Sequence, residues 1–228
     1  MENPVFLAVD TTDPARARAL LKAAGPHVGG VKLGLEWYCA NGNPATQQVM
    51  QACGLPLFLD LKFHDIPNTV AGAIRAVAPL APALLSVHAA GGPAMLRAAR
   101  EAAPGPTRLV AVSVLTSLDE SDLAAIGMRG PVADAVVRLA DVARAAGIDG
   151  MVCSPHEVAL LRARWPDALL VVPGVRPDGG AAFDQKRVMT PREALDAGAS
   201  HLVIGRPITA APDPAQAARE IAASLGCG

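Results

Sequence analysis

Within ten residues, Asp60-Leu61-Lys62-Phe63-His64-Asp65-Ile66-Pro67-Asn68-Thr69, the chain sets two carboxylates around one ammonium group. They follow the apolar run Leu57-Phe58-Leu59, which reads as a buried strand. Strand residues alternate faces, so Phe58, Asp60 and Lys62 are expected to point the same way. A charge taken out of water needs a partner, so charges sharing one face of a core strand are expected to pair with one another. Asp-x-Lys-x-x-Asp at a strand end therefore predicts a pre-built charge network at the mouth of a site. Its chemistry would be proton transfer, because a lysine flanked by carboxylates stays protonated and can act as an acid.

Other chemically capable residues recur at the ends of apolar runs. Asp10 ends the first and Lys32 stands in the second, within Val31-Lys32-Leu33-Gly34. His88 ends the fourth, and Thr116-Ser117 follow the fifth. Pro173-Gly174-Val175-Arg176 follows the seventh, and Gly205-Arg206-Pro207 the eighth. Taken singly, each has an ordinary reading. Asp10 or Asp65 would form a turn or cap a helix, a lysine would reach solvent, and His88 would be a hydrogen-bonded core histidine. Taken together, Lys32, Asp60, Lys62 and Asp65 have no good role in stability, since like charges would have to be desolvated together. Gly205-Arg206 and Gly174-Val175-Arg176 suit an anion. Glycine admits backbone N–H groups close to it, and arginine offers a planar double donor. The segment from Arg176 to Thr190, with Gly179-Gly180 and Gln185, reads as a mobile lid whose glutamine could donate to phosphate oxygens.

Eight candidate strands position these groups: Val5–Asp10, Val28–Leu33, Leu57–Lys62, Leu84–His88, Arg108–Leu115, Gly150–Cys153, Leu169–Val172 and His201–Ile204. Most are Val/Leu/Ile-rich without clean polar alternation, as expected of strands covered on both sides. Helix starts are marked by Asp13-Pro14 and Asp213-Pro214, and by capping boxes at Ser154-Pro155-His156-Glu157 and Thr190-Pro191-Arg192-Glu193. Pro67 likewise suits a first helical turn. Ala146-Gly147 and Ala197-Gly198 mark helix ends. Eight βα units predict a (β/α)₈ TIM barrel, with functional groups gathered at the C-terminal ends of its strands and phosphate after strands seven and eight. The alternative is an open, doubly wound sheet. No linker or break in composition divides the 228 residues, so residues 1–228 read as a single domain.

Composition bounds the partners. The chain is 51% hydrophobic and only 18% charged, enough to build a large core and too apolar for disorder. A net charge of −1 gives no reason to expect nucleic acid or an anionic membrane surface, so affinity for an anion must be local. Cys39, Cys53, Cys153 and Cys227 show no paired or metal-type spacing; the first three, in or beside apolar segments, read as reduced, buried fillers. The five histidines are scattered, so no metal site is expected. No run approaches the ~20 apolar residues of a membrane span, and the N-terminus lacks the features of a signal peptide. A cytoplasmic protein is expected.

The chain resembles the bacterial-type orotidine 5′-phosphate decarboxylases over essentially its whole length. The resemblance is carried by Leu7-Ala8-Val9-Asp10, Val31-Lys32-Leu33-Gly34, Asp60–Thr69, Val87-His88-Ala89-Ala90-Gly91-Gly92 and Leu115-Thr116-Ser117. It continues through Pro173-Gly174-Val175-Arg176, Asp184-Gln185-Lys186-Arg187 and Val203-Ile204-Gly205-Arg206-Pro207-Ile208. It implies decarboxylation of orotidine 5′-phosphate to UMP, the last step of de novo pyrimidine synthesis, with no cofactor and no metal. It implies that Lys62 protonates C6 of the pyrimidine and that Lys32, Asp60, Lys62 and Asp65 form the charge network. Asp10, Lys32 and Thr69 would hold the ribose, and Thr116 the pyrimidine edge. Arg176, Gln185, Gly205 and Arg206 would hold the phosphate, with Ile66 and Pro173 also in the substrate site. It further implies a homodimer in which Asp65 and Thr69 enter the neighbour's site.

Two rivals share parts of this pattern. Metal-dependent members of the same superfamily, such as 3-keto-L-gulonate-6-phosphate decarboxylase and hexulose-6-phosphate synthase, resemble the chain in the Asp-x-Lys-x-x-Asp strand. They hold magnesium partly through a glutamate on the second strand, where this chain has Lys32. A lysine there would repel a divalent cation. The second rival is a non-catalytic phosphate-binding barrel, which a fold alone does not exclude.

Overall fold

The computed structural model describes residues 3–176 and 189–227. The apolar runs form eight parallel strands: β1 (Val5–Ala8), β2 (Gly30–Gly34), β3 (Leu57–Phe63), β4 (Leu84–His88), β5 (Arg108–Val112), β6 (Gly150–Val152), β7 (Leu169–Pro173) and β8 (His201–Ile204). Each pairs with the next, and β8 returns to β1 through Phe6 opposite Val203, so the sheet closes into a barrel. The expected (β/α)₈ architecture is therefore the one observed, and the open-sheet alternative is not. Several strands end earlier than expected. β1 stops at Ala8 rather than Asp10 and β5 at Val112 rather than Leu115; Asp10, Val114 and Leu115 beyond them line the mouth.

Helices cover the outside. They are α1 (Pro14–Ala24), α2 (Leu35–Cys53), α3 (Pro67–Val77), α4 (Gly92–Ala102), α5 (Glu120–Ala125) and α6 (Val132–Ala145), then α7 (Val158–Arg164), α8 (Pro191–Asp196), α9 (Arg206–Thr209) and α10 (Pro214–Ser224). Their starts follow the local signals. Asp13 and Asp213 accept hydrogen bonds from Ala15 and Ala215 backbone N–H groups, and Thr190 and Glu193 cap each other. Gly147 and Gly198, at φ 78° and 107°, end α6 and α8 as expected. In α2 the backbone leaves the helical region at Gly42 (φ 62°), and the break is held by Trp37 Nε1 donating to Thr46 Oγ1 at 2.8 Å, with Thr46 Oγ1 donating to Gly42 O at 2.7 Å.

Period-two alternation sorts each strand into two cores. Val5, Leu7, Leu57, Leu59 and Leu61 face outward and pack under the helices. Phe6, Ala8, Phe58, Leu84, Val110, Val171 and Val203 face inward and fill the barrel floor, where the Phe6 and Phe58 rings meet edge to face at 6.0 Å. Gly30 makes room for this: a Cβ there would lie 2.3 Å from the Phe6 ring. Above this floor the inward row of β3 continues into Asp60 and Lys62, which confirms the shared face expected of Phe58, Asp60 and Lys62.

Candidate active site

The C-terminal ends of the strands enclose a cavity of about 320 Å³. β1 brings Ala8 and Asp10 to it, β2 Lys32, and β3 Phe58, Asp60 and Lys62. The segment after β5 adds Val114, Leu115 and Thr116; the segment after β6 adds Cys153. The lining is completed by Pro173, Gly174 and Arg176 after β7 and by Gly205 and Arg206 after β8, the strand that pairs with β1.

At its centre are four alternating charges. Lys62 Nζ donates to Asp60 Oδ2 at 2.7 Å, Lys32 Nζ stands 3.7 Å from the same oxygen, and Lys32 Nζ donates to Asp10 Oδ1 at 3.2 Å. Lys32 and Asp60 are only 9% and 7% exposed, so each depends on the other for the solvation it has lost. Burial alone would raise the Asp60 carboxyl. The charges of Lys32 and Lys62, with hydrogen bonds from Lys62 and Ser86, overcome it and hold the group below its ordinary value. Asp60 is thus a carboxylate kept ionised inside the protein, facing open space.

Lys62 itself has a left-handed backbone, φ 50°, which a residue with a Cβ rarely adopts. Ser86 on β4 was not among the residues expected at the site, yet it accepts from Lys62 N–H at 2.9 Å and donates to Asp60 Oδ1 at 2.8 Å. A signal existed: Ser86 occupies an inward position between Leu84 and His88, where an apolar residue would be the rule.

The structure does not bring every expected residue to this cavity. Asp65 and Ile66 lie on the exposed turn into α3 and Thr69 in the first turn of that helix; none of the three lines the cavity, and Asp65 Oδ1 accepts from its neighbour Ile66 N–H. Within one chain the network is therefore Asp10, Lys32, Asp60 and Lys62, without Asp65. Gln185 and most of the segment read as a lid lie outside the described residues. His88 was expected to be hydrogen-bonded; instead its ring stacks on His64 at 5.2 Å, and its Nδ1 has no hydrogen-bond partner among the described residues. Burial, followed by the charges of His64 and Lys62, lowers its pKa. Cys39 was expected to be a buried filler. It is exposed, because the buried residues of its helix are Trp37, Thr46 and Val49. Cys153 and Cys227 are buried and Cys53 is partly so. Among the described residues no three His, Cys, Asp or Glu side chains group closely enough to hold a metal ion. No described helix is long and apolar enough to cross a membrane.

A closed parallel barrel carrying a lysine–carboxylate centre on β2 and β3, with arginines after β7 and β8, has the arrangement of the (β/α)₈ enzymes, whose sites lie at the strand ends. More specifically, the chain belongs to the Orotidine 5′-phosphate decarboxylase / HUMPS family, whose model matches residues 3–221. It is 56% identical over 225 residues to an orotidine 5′-phosphate decarboxylase of Sphingopyxis alaskensis, covering 99% of this chain and all of that one. It is 57% identical over 233 residues to the enzyme of the same name from Rhodospirillum rubrum, covering 98% and 94% of the two chains. The crystal structure of orotidine 5′-phosphate decarboxylase from Lactobacillus acidophilus matches with a TM-score of 0.86 at 36% identity, over 98% of this chain and 99% of that one.

Proposed function

We propose that the chain, a carboxy-lyase of pyrimidine biosynthesis, converts orotidine 5′-phosphate to UMP by stabilising charge at C6 of the pyrimidine and protonating it from Lys62. The observation that carries this reading is the ionised Asp60 held between Lys32 and Lys62 on the cavity floor. When the C6–carboxylate bond breaks, CO₂ departs and the bonding pair stays on C6. The Lys62 ammonium beside that carbon stabilises the pair as it forms and then delivers a proton to it, making the C6–H bond. Asp60 keeps Lys62 oriented. Arg176 and Arg206 line the same cavity together with Gly205, a set of donors that suits a phosphate. Binding energy gained there can be used at C6. By resemblance to the family, Asp10 and Lys32 would hold the ribose and Thr116 the pyrimidine edge, with Pro173 also in the substrate site; Gln185 joins the phosphate group.

We read the working unit as a homodimer. Asp65, Ile66 and Thr69 are exposed and do not line their own cavity, with Ile66 66% exposed. An isoleucine so placed suits a partner surface, and Asp65 and Thr69 beside it could complete the neighbour's site.

Lys32 also weighs against the metal-dependent branch of the superfamily, since its ammonium stands where those members carry a glutamate and would repel a divalent cation. The test is to mix the protein with orotidine 5′-phosphate in excess chelator and follow the loss of orotate absorbance. Conversion to UMP that disappears in Lys62→Ala is expected. Turnover only of a sugar phosphate with added magnesium would place the chain in the other branch.

A further inference from the structure

Ser86 is fully buried, at 0% exposure, and stands where the pairing of β3 with β4 is irregular. Leu59 pairs with Leu85 and Phe63 with Val87, so four residue steps on β3 span two on β4. Asp60, Leu61 and Lys62 are thereby set against Ser86 alone. The extra residues bulge, and Lys62 takes its left-handed backbone within the bulge. The hydroxyl of Ser86 serves Lys62 N–H where the ladder does not.

Its two hydrogen bonds have forced directions. A backbone N–H can only donate and an ionised carboxylate can only accept, so the serine oxygen accepts from Lys62 and its proton goes to Asp60. Asp60 Oδ1 is thus occupied, which leaves Oδ2 as the oxygen that both lysines face. One hydroxyl therefore sets both the backbone that aims Lys62 and the carboxylate that receives its ammonium.

We propose that Ser86 is a positioning residue for the decarboxylation: through the bulge and through Asp60 it holds the Lys62 ammonium at the place where C6 is protonated. This rests on the reading of Lys62 as the proton donor. Ser86 is not among the residues that line the cavity, so its effect is on the chemical step and not on substrate affinity. A misplacement of about 1 Å can cost on the order of 100-fold in rate.

The experiment compares kcat and KM for orotidine 5′-phosphate in wild type, Ser86→Ala, Ser86→Thr and Lys62→Ala, each checked for folding by circular dichroism. Ser86→Ala is expected to lower kcat by about 10- to 100-fold with KM within about threefold of wild type. Ser86→Thr, which keeps the hydroxyl, is expected to stay within about fivefold in kcat. A folded alanine variant with wild-type kcat overturns the proposal, as does a loss that falls on KM with kcat preserved. Should the alanine variant not fold, the threonine variant decides. Wild-type-like kcat supports the hydroxyl's role, and a tenfold or greater loss in a folded threonine variant overturns it. An active Lys62→Ala variant would instead overturn the assignment of Lys62 itself, whatever Ser86→Ala shows.

Discussion

The ammonium of Lys62 lies 2.7 Å from the carboxylate of Asp60, two residues earlier on the same strand, although the backbone of Lys62 is left-handed. In a regular strand, residues two apart share a face but stand roughly 6–7 Å apart along it. The turned backbone at Lys62 accompanies an approach close enough for a charged hydrogen bond. Each group is then partly solvated by the other, which is how a carboxylate only 7% exposed can stay ionised at the barrel mouth.

Removing one member of that pair leaves the others uncompensated. Asp60→Asn keeps the shape but leaves Lys32 and Lys62 facing each other across a neutral amide. Breaking a buried ion pair in this way costs about 3–5 kcal/mol, to be read from urea unfolding at neutral pH. Replacing Asp60 and Lys32 together should cost less than the sum of the single changes, since the two act as one network.

The pH dependence follows from the lowered pKa of Asp60. A carboxyl whose folded value lies below its unfolded value of about 3.9 stabilises the fold above that value, and the contribution is lost as pH falls through the lower, folded one. The stability difference between wild type and Asp60→Asn should therefore narrow as pH is taken from about 5 towards 3. A constant difference across that range would show that Asp60 titrates normally.

Arg206 lines the cavity that holds the two lysines, at the start of α9. If it holds the substrate phosphate, Arg206→Ala should reduce kcat/KM by about 2–5 kcal/mol, or on the order of 30- to 5,000-fold. A variant within a factor of two of wild type would remove Arg206 from the phosphate site.

The cysteines offer a chemical probe. Burial pushes the Cys153 thiol far up, followed by the charge of Glu157, so little thiolate is available at neutral pH even though the residue lines the cavity. Iodoacetamide at pH 8 should label exposed Cys39 and spare Cys153 in the folded protein, by mass spectrometry of the peptides. Modification of Cys153 at the rate of Cys39 would contradict its burial.

A structural prediction lies away from the site. Thr46→Val would leave the buried Trp37 N–H without its acceptor and should destabilise the protein by about 1–3 kcal/mol in chemical denaturation. Little change in kcat is expected, because neither residue lines the cavity.

Much of this protein is determined locally and can be read from the chain. Strands covered on both faces must be continuous apolar runs, so Leu84–His88 and His201–Ile204 were located to the residue. Asp13-Pro14 and Asp213-Pro214 begin helices because an aspartate can accept the first free N–H groups and a proline has none to lose. Eight such units, with Asp10, Lys32, Asp60 and Lys62 at the strand ends, define both barrel and centre, because a closed barrel brings every strand end to one mouth. Other features depend on pairing between distant segments. The left-handed backbone of Lys62 goes with the register of β3 on β4, and the part played by Ser86 follows from a gap that exists only once those strands meet. The exposure of Cys39 depends on which side of a broken helix packs down. That Asp65 stands outside its own chain's network and accepts from Ile66 N–H is likewise a matter of where the chain turns after the bulge. Local composition dictates periodicity and caps, while register, bulge geometry and the partners of buried charges are set by contacts between residues tens of positions apart.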